Sequence, residues 1–192
     1  VAVAQITMRD ALPPGLFNKL VNKAVHIMNR LAGRYSDGVV AYTQDFADHS
    51  PFLQTLRTKL HVIPPPVEMV EMTKSGIAAF SRMANPDGKR PVIGMAARLA
   101  AEKGVEVLLE AFPTILERYP TAMILFAGQF KDVLAEETYA QRLLPRIGLY
   151  EEMRQWRFLG VLDPVQMAAF YPNLDVLTVP SLNSTESFGL VQ

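Results

Sequence analysis

Between residues 14 and 34 apolar side chains recur every three or four positions. Phe17, Leu20, Val21, Ala24, Ile27, Met28 and Leu31 form one stripe, while Lys19, Lys23, Arg30 and Arg34 occupy other positions. That period predicts an amphipathic helix. Two settings satisfy it: the surface of a folded domain, or a membrane interface on which a basic amphipathic helix lies flat. Next, Asp37–Thr43 predicts a short buried strand, a helix is expected near Asp45–Leu56, and Leu60–Ile63 predicts a second strand. Three prolines, Pro64–Pro66, then stop regular structure and stiffen the chain. A helical stretch over 70–83 leads into Asn85-Pro-Asp-Gly88, a turn signal.

From Pro91 the pattern alternates. Strands are predicted over 91–95, 122–127, 157–161 and 175–179, and helices over 104–119, 134–147 and 164–170, with another helix starting near Phe188. Strands alternating with helices imply βαβ units and a parallel sheet covered on both faces, so a Rossmann-like α/β domain is expected. Pro113 lies inside the first of these helices and is expected to kink or split it. The expected organisation is an N-terminal remnant over 1–66, a linker and connecting helix over 67–90, and a ligand-binding domain over 91–192.

Composition narrows the function classes. Nineteen basic and nineteen acidic residues cancel, so no global field draws the chain to nucleic acid, and any anion is met locally. The absence of cysteine removes disulfides, thiolate metal sites and cysteine nucleophiles. No apolar run reaches the length of a membrane span, and the start lacks a signal-peptide layout. The expectation is a cytoplasmic protein, either soluble or peripheral to the inner face of a membrane. His26, His49 and His61 lack metal-ligand spacing, and no G-x-G-x-x-G fingerprint is present, which argues against metal and NAD chemistry.

In an open parallel sheet ligands bind beyond the carboxyl ends of the strands. After the first strand of the alternating region, Arg98 and Lys103 sit in a loop that feeds a helix. Two cations beside a helix N-terminus suit a diphosphate, and two solvated surface charges fit the spacing equally. After the second strand comes Gly128, where backbone can approach a ligand or merely turn. The third offers Phe158, Gly160 and Val161, either an apolar wall for a nucleobase or a buried strand packing on its helices. After the fourth, Glu186 precedes a helix start at which the amides of Phe188, Gly189 and Leu190 face an anion, or Glu186 is only a cap.

In order, Arg98-x4-Lys103-Gly104, Leu109-Glu-Ala-Phe112, Tyr119-Pro120, Phe126-Ala-Gly128, Phe158-Leu-Gly160, Pro180-Ser181 and Glu186-Ser-Phe-Gly-Leu190 closely resemble the retaining GT-B glycosyltransferases of family 4. More weakly, 35–67 is similar to the end of that family's N-terminal domain, with Pro64–Pro66 in place of the commoner Pro-Asn-Gly. The resemblance implies sugar transfer from a nucleoside-diphosphate sugar to a glycan or lipid acceptor, with no metal or other cofactor. It assigns Arg98 and Lys103 to the donor diphosphate, Glu186 to the hydroxyls of the donor sugar, and Gly128, Phe158, Gly160, Val161, Ser187, Phe188, Gly189 and Leu190 to the nucleotide-sugar pocket. Glu186 matches the first carboxylate of an E-x7-E motif whose second would lie beyond Gln192. The chain is therefore expected to be a fragment, inactive by itself. A GT-B nucleotide-sugar epimerase and a non-catalytic nucleotide-sugar-binding module are the alternatives.

Overall fold

The computed structural model describes residues 3–5, 15–66 and 70–182, which fall into two compact units, 3–66 and 70–182.

The first unit opens with a short strand, β1 (Val3–Gln5), for which the sequence pattern gave no signal, followed by helix α1 (Leu16–Tyr35) and strand β2 (Gly38–Ala41). The helix expected over 45–56 is instead two, α2 (Gln44–His49) and α3 (Pro51–Gln54). Ser50 ends one and caps the other through its side chain, and Pro51 takes the first position of α3, where a missing N–H costs nothing. Strand β3 (Leu60–Val62) completes a parallel sheet of order β1-β2-β3. Its core is Val39, Ala41, Phe46, Ala47 and Leu53. Lys59 Nζ donates to the carbonyls of Arg34 and Ser36 at 2.9 Å, a cation tying down the carboxyl end of α1.

The second unit begins with α4 (Lys74–Ala84), capped by Thr73. Strands β4 (Val92–Ala96), β5 (Met123–Ala127), β6 (Trp156–Gly160) and β7 (Val176–Leu177) alternate with α5 (Val105–Arg118), α6 (Glu137–Glu152) and α7 (Pro164–Phe170). All pairings are parallel, in the order β6-β5-β4-β7. Side chains alternate across the sheet with period two. Ile93, Met95, Ile124 and Phe126 join Leu108, Leu109 and Phe112 of α5 and Leu143 and Ile147 of α6 on one face. Val92, Met123, Leu125 and Ala127 join Phe80 and Ala84 of α4 and Ala169 and Phe170 of α7 on the other. That two-sided burial explains why β5 reads as an unbroken apolar run.

Two expectations change. Helix α5 is not split at Pro113 but runs through it as one helix, and α6 likewise contains Pro145 and extends to Glu152, past the predicted end at 147. Packing of Leu108, Leu109 and Phe112 onto the sheet holds α5 through the lost hydrogen bond, a tertiary term that outweighs local propensity. The fourth strand pairs over two residues only, although Asp175 N–H and Thr178 N–H also donate to Val92 and Gly94 carbonyls.

Asp175 fastens that short strand. Its carboxylate accepts from Arg90 Nη1 and from the Val92 amide, each at 2.6 Å, and the Arg90 hydrogen bond, helped by that amide, holds its pKa below the ordinary carboxylate value. A carboxyl whose folded pKa is depressed adds stability above its unfolded pKa, and this is lost as pH falls through the folded value. Asp175→Ala is therefore expected to lower unfolding free energy by about 1–2 kcal/mol at neutral pH. The gap to the parent should begin to narrow as pH falls past the unfolded carboxylate value, about 4, and should close only as pH passes through the lower folded value. Urea melts at pH 7 and at steps from about pH 4 down to about pH 2 check this, and a deficit that stays constant over the whole range would show that the charge is irrelevant.

Candidate donor site

Strands β4, β5 and β6 step outward in one direction, and the chain then returns to place β7 on the other side of β4. A reversal of that kind opens a crevice beyond the carboxyl ends of the two strands that flank it, here β4 and β7. The loops leaving those strands are 97–104 and 178–182.

The carboxyl ends of the strands are laced together by backbone. Ala97 N–H donates to Ala127 O at 2.9 Å, Leu99 N–H to Gln129 O at 2.8 Å and Gly128 N–H to Gly160 O at 2.7 Å. Gly128 is required there: φ is 139°, and a Cβ would lie 2.0 Å from Ala97 O. Arg98, Lys103, Gly128, Phe158, Gly160 and Val161 are thus all carried at one edge of one sheet.

Arg98 is half exposed, and its Nη2 donates to Glu102 Oε1 at 2.9 Å, one turn along the loop. A guanidinium offers five N–H donors in a planar fork, so this single contact fixes its direction while leaving capacity for an anion. Lys103 is partly buried at the end of a 3₁₀ turn over Ala101–Lys103, next to Gly104, the N-cap of α5. Gly104 adopts φ 67°, and a Cβ there would meet Pro180 O at 2.0 Å. Leu182 N–H donates to Glu102 O at 3.0 Å. The loop leaving β7 is therefore seated on the Glu102–Gly104 backbone as it heads toward 183–192. Glu186, Ser187, Phe188, Gly189 and Leu190 lie outside the described residues.

The amides at the start of α5 and in the 3₁₀ turn before it are less open than the sequence suggests. Glu106 N–H donates to Tyr139 Oη at 3.3 Å, Val107 N–H to Gly104 O at 3.0 Å, and Ala101 N–H to Glu136 Oε2 at 3.1 Å. Tyr139 Oη in turn donates to the Glu106 carboxylate. The cationic side chains on this loop are those of Arg98 and Lys103. Tyr139 is 33 residues from Glu106, and no spacing signal links the two.

Phe158 sits within an aromatic cluster. Its ring stacks on Phe130 at 4.1 Å between centroids and 8° between planes, with Phe126 edge-on at 5.3 Å. Leu159, the next residue, packs on the opposite core by ordinary alternation, and an irregularity there leaves it unpaired, with Phe126 opposite Phe158 and Ala127 opposite Gly160. Gly160 follows with φ 72° and open space where a Cβ would stand, and Val161 is exposed. Phe130, which supports Phe158, lies 28 residues away in the loop after β5, and no local spacing links the two.

The chain is 26% identical over 191 residues to a D-inositol 3-phosphate glycosyltransferase of Segniliparus rotundus, a match covering 99% of this chain and 40% of that protein. It is 32% identical over 138 residues to the Corynebacterium jeikeium enzyme of the same name, covering 69% of this chain and 32% of the relative. The chain thus spans less than half the length of these relatives. Among solved structures, Anabaena Alr3699/HepE in complex with UDP and glucose superposes with a TM-score of 0.67 at 17% identity, over 93% of this chain and 46% of that one. WaaG, a glycosyltransferase involved in lipopolysaccharide biosynthesis, gives 0.61 at 15% identity, over 100% and 52%. These two likenesses establish the shared GT-B architecture. The model of the glycosyl transferases group 1 matches residues 77–192, more than half of the chain, and the chain belongs to that family.

Proposed function

We propose that the protein transfers a sugar from a nucleoside-diphosphate sugar to a glycan or lipid acceptor with retention of anomeric configuration, and that 91–182 carries most of its donor site. The observation that supports this best is the seating of the post-β7 loop on Gly104, beside Lys103 and at the sheet edge that also bears Arg98. The donors named for related proteins point the same way: HepE was solved with UDP-glucose, and a pneumococcal O-GlcNAc transferase with UDP and GlcNAc.

In the proposed mechanism the bond between the anomeric carbon and the diphosphate oxygen lengthens. Negative charge grows on the leaving diphosphate while the sugar becomes oxocarbenium-like. Arg98 and Lys103 are fixed cations, so they stabilise that growing charge more than the evenly spread charge of the ground state, which is the condition for raising kcat. Gly128 and Gly160 keep the strand ends low where the nucleotide would lie, and Phe158, stiffened by Phe130, backs that floor. Glu186 would accept hydrogen bonds from sugar hydroxyls.

The test is a hydrolysis and transfer screen of the full-length protein against UDP-, GDP- and ADP-sugars, with EDTA present. One class of donor should be consumed without added metal, and the product should keep the donor's anomeric configuration by NMR. Inversion of configuration, or strict dependence on a divalent ion, would overturn the mechanism.

A further inference from the structure

Arg98 carries its charge at the end of a long side chain, and the backbone holds only the base of that chain. Leu99 and Ala100, which follow it, are buried, and Ala100 N–H donates back to Arg98 O at 2.9 Å. The guanidinium at the far end is met by Glu102, whose Oε1 accepts from Nη2. Glu102 is anchored from several sides. Its carbonyl accepts from Leu182 N–H, and its neighbour Ala101 donates its amide to Glu136 Oε2. Lys103 N–H donates to Ala100 O at 2.9 Å and closes the 3₁₀ turn, and Gly104 then lies against Pro180 O. The carboxylate therefore starts from a fixed point, whereas the guanidinium does not.

A carboxylate in this place has two opposed effects. As a negative charge beside a cation meant for a diphosphate, it weakens the attraction, and its removal should tighten donor binding. As an acceptor it gives the guanidinium one direction, and its removal should let an exposed side chain scatter over its rotamers. The first effect is screened, because both partners face solvent. Direction is not screened. Stabilisation of transition-state charge needs donors already in place, and a misplacement of about 1 Å can cost about 10²-fold in rate. The second effect therefore wins.

We propose that Glu102 is a positioning residue for sugar transfer, which aims the Arg98 guanidinium at the leaving diphosphate from a base tied to the loop after β7. The proposal rests on the donor-site reading of Arg98, and the experiment tells the failure of one from the failure of the other.

The experiment is steady-state kinetics on the full-length protein with its donor. Glu102→Ala should lower kcat about tenfold, less than the loss of the whole guanidinium, and should leave the thermal midpoint unchanged because the ion pair is exposed. Glu102→Gln keeps an acceptor oxygen at the same reach without the charge, so it should return kcat to within about threefold of the parent. Glu117→Ala removes the same charge from the last turn of α5, at the other end of that helix, and should change nothing. The decisive comparison is made in the Arg98→Ala background. With no guanidinium to aim, Glu102→Ala should there cost less than about twofold, a coupling that two independent residues would not show. A further tenfold loss in that background would show that Glu102 acts without Arg98, and overturns the proposal. So does turnover of Glu102→Ala at or above the parent, which would leave the carboxylate only opposing the diphosphate, and so does a glutamine variant as poor as the alanine. In each of these cases a damaging Arg98→Ala leaves the donor site standing. An Arg98→Ala variant with full turnover overturns both.

Discussion

Arg98→Ala and Lys103→Ala, each made in the full-length protein, are expected to lower kcat by at least about 10²-fold, the scale for losing one preorganised contact to transition-state charge. The prediction follows from position. Both side chains leave the loop after β4, at the crevice between β4 and β7. Stability should barely change for Arg98→Ala, since its ion pair with Glu102 is between groups that are 56% and 36% exposed and contributes under about 1 kcal/mol. Arg98→Lys tests geometry apart from charge. A point charge cannot reproduce a planar fork on phosphate oxygens, so only part of the loss should be recovered. If either alanine variant keeps turnover within about threefold of the parent, that residue has no place on the diphosphate.

A structural variant cannot mimic this result. A fold defect would lower the amount of active protein and leave KM for the donor unchanged. Loss of a cation that also holds the ground-state diphosphate should raise KM as well as lower kcat. Steady-state kinetics on protein whose melting is unchanged therefore separates the two causes.

Most of the second unit was legible because its strands are buried on both faces. Val92–Ala96 and Met123–Ala127 have to be apolar throughout, and a run of that kind between helical periods has few other readings. Arg98, Lys103 and Gly104 could be placed because a loop joining such a strand to a helix has a known end of the sheet. What stayed hidden depends on contacts distant in sequence. Nothing local tells β7 to pair with β4, Tyr139 to take the Glu106 amide, or Phe130 to stack on Phe158. The split expected as one outcome at Pro113 fails for the same reason: propensity marks a break, and burial of the α5 face against the sheet keeps the helix in one piece. In α1 the period identified the apolar stripe correctly but could not say what covers it, and the structure turns it outward. Glu186 and its neighbours fall outside the described residues, so the sugar-binding half of the site still rests on sequence.

Gly104→Ala is expected to do the most damage for the smallest chemical change. The backbone at 104 is left-handed, with φ 67°, which costs an L side chain about 1–2 kcal/mol. Strain is only the first part of the effect. The added methyl would stand 2.0 Å from Pro180 O, and both partners of that contact are backbone, so the loop after β7 has to move by an ångström or more. Displacement on that scale beside a reacting centre can cost about 10²-fold in rate. Gly88 supplies the control, since it shares a positive φ of 62° but has nothing within 4 Å of its missing Cβ, and it lies at the opposite end of β4. Gly88→Ala and Gly104→Ala should both lose a few degrees of thermal stability from strain, about 2–4 °C for each kcal/mol in a domain of this size. Only Gly104→Ala should lose turnover and donor affinity with it. Equal activity in the two variants would mean that the post-β7 loop need not be seated on Gly104 for the donor to bind, and the proposed site would lose its main support.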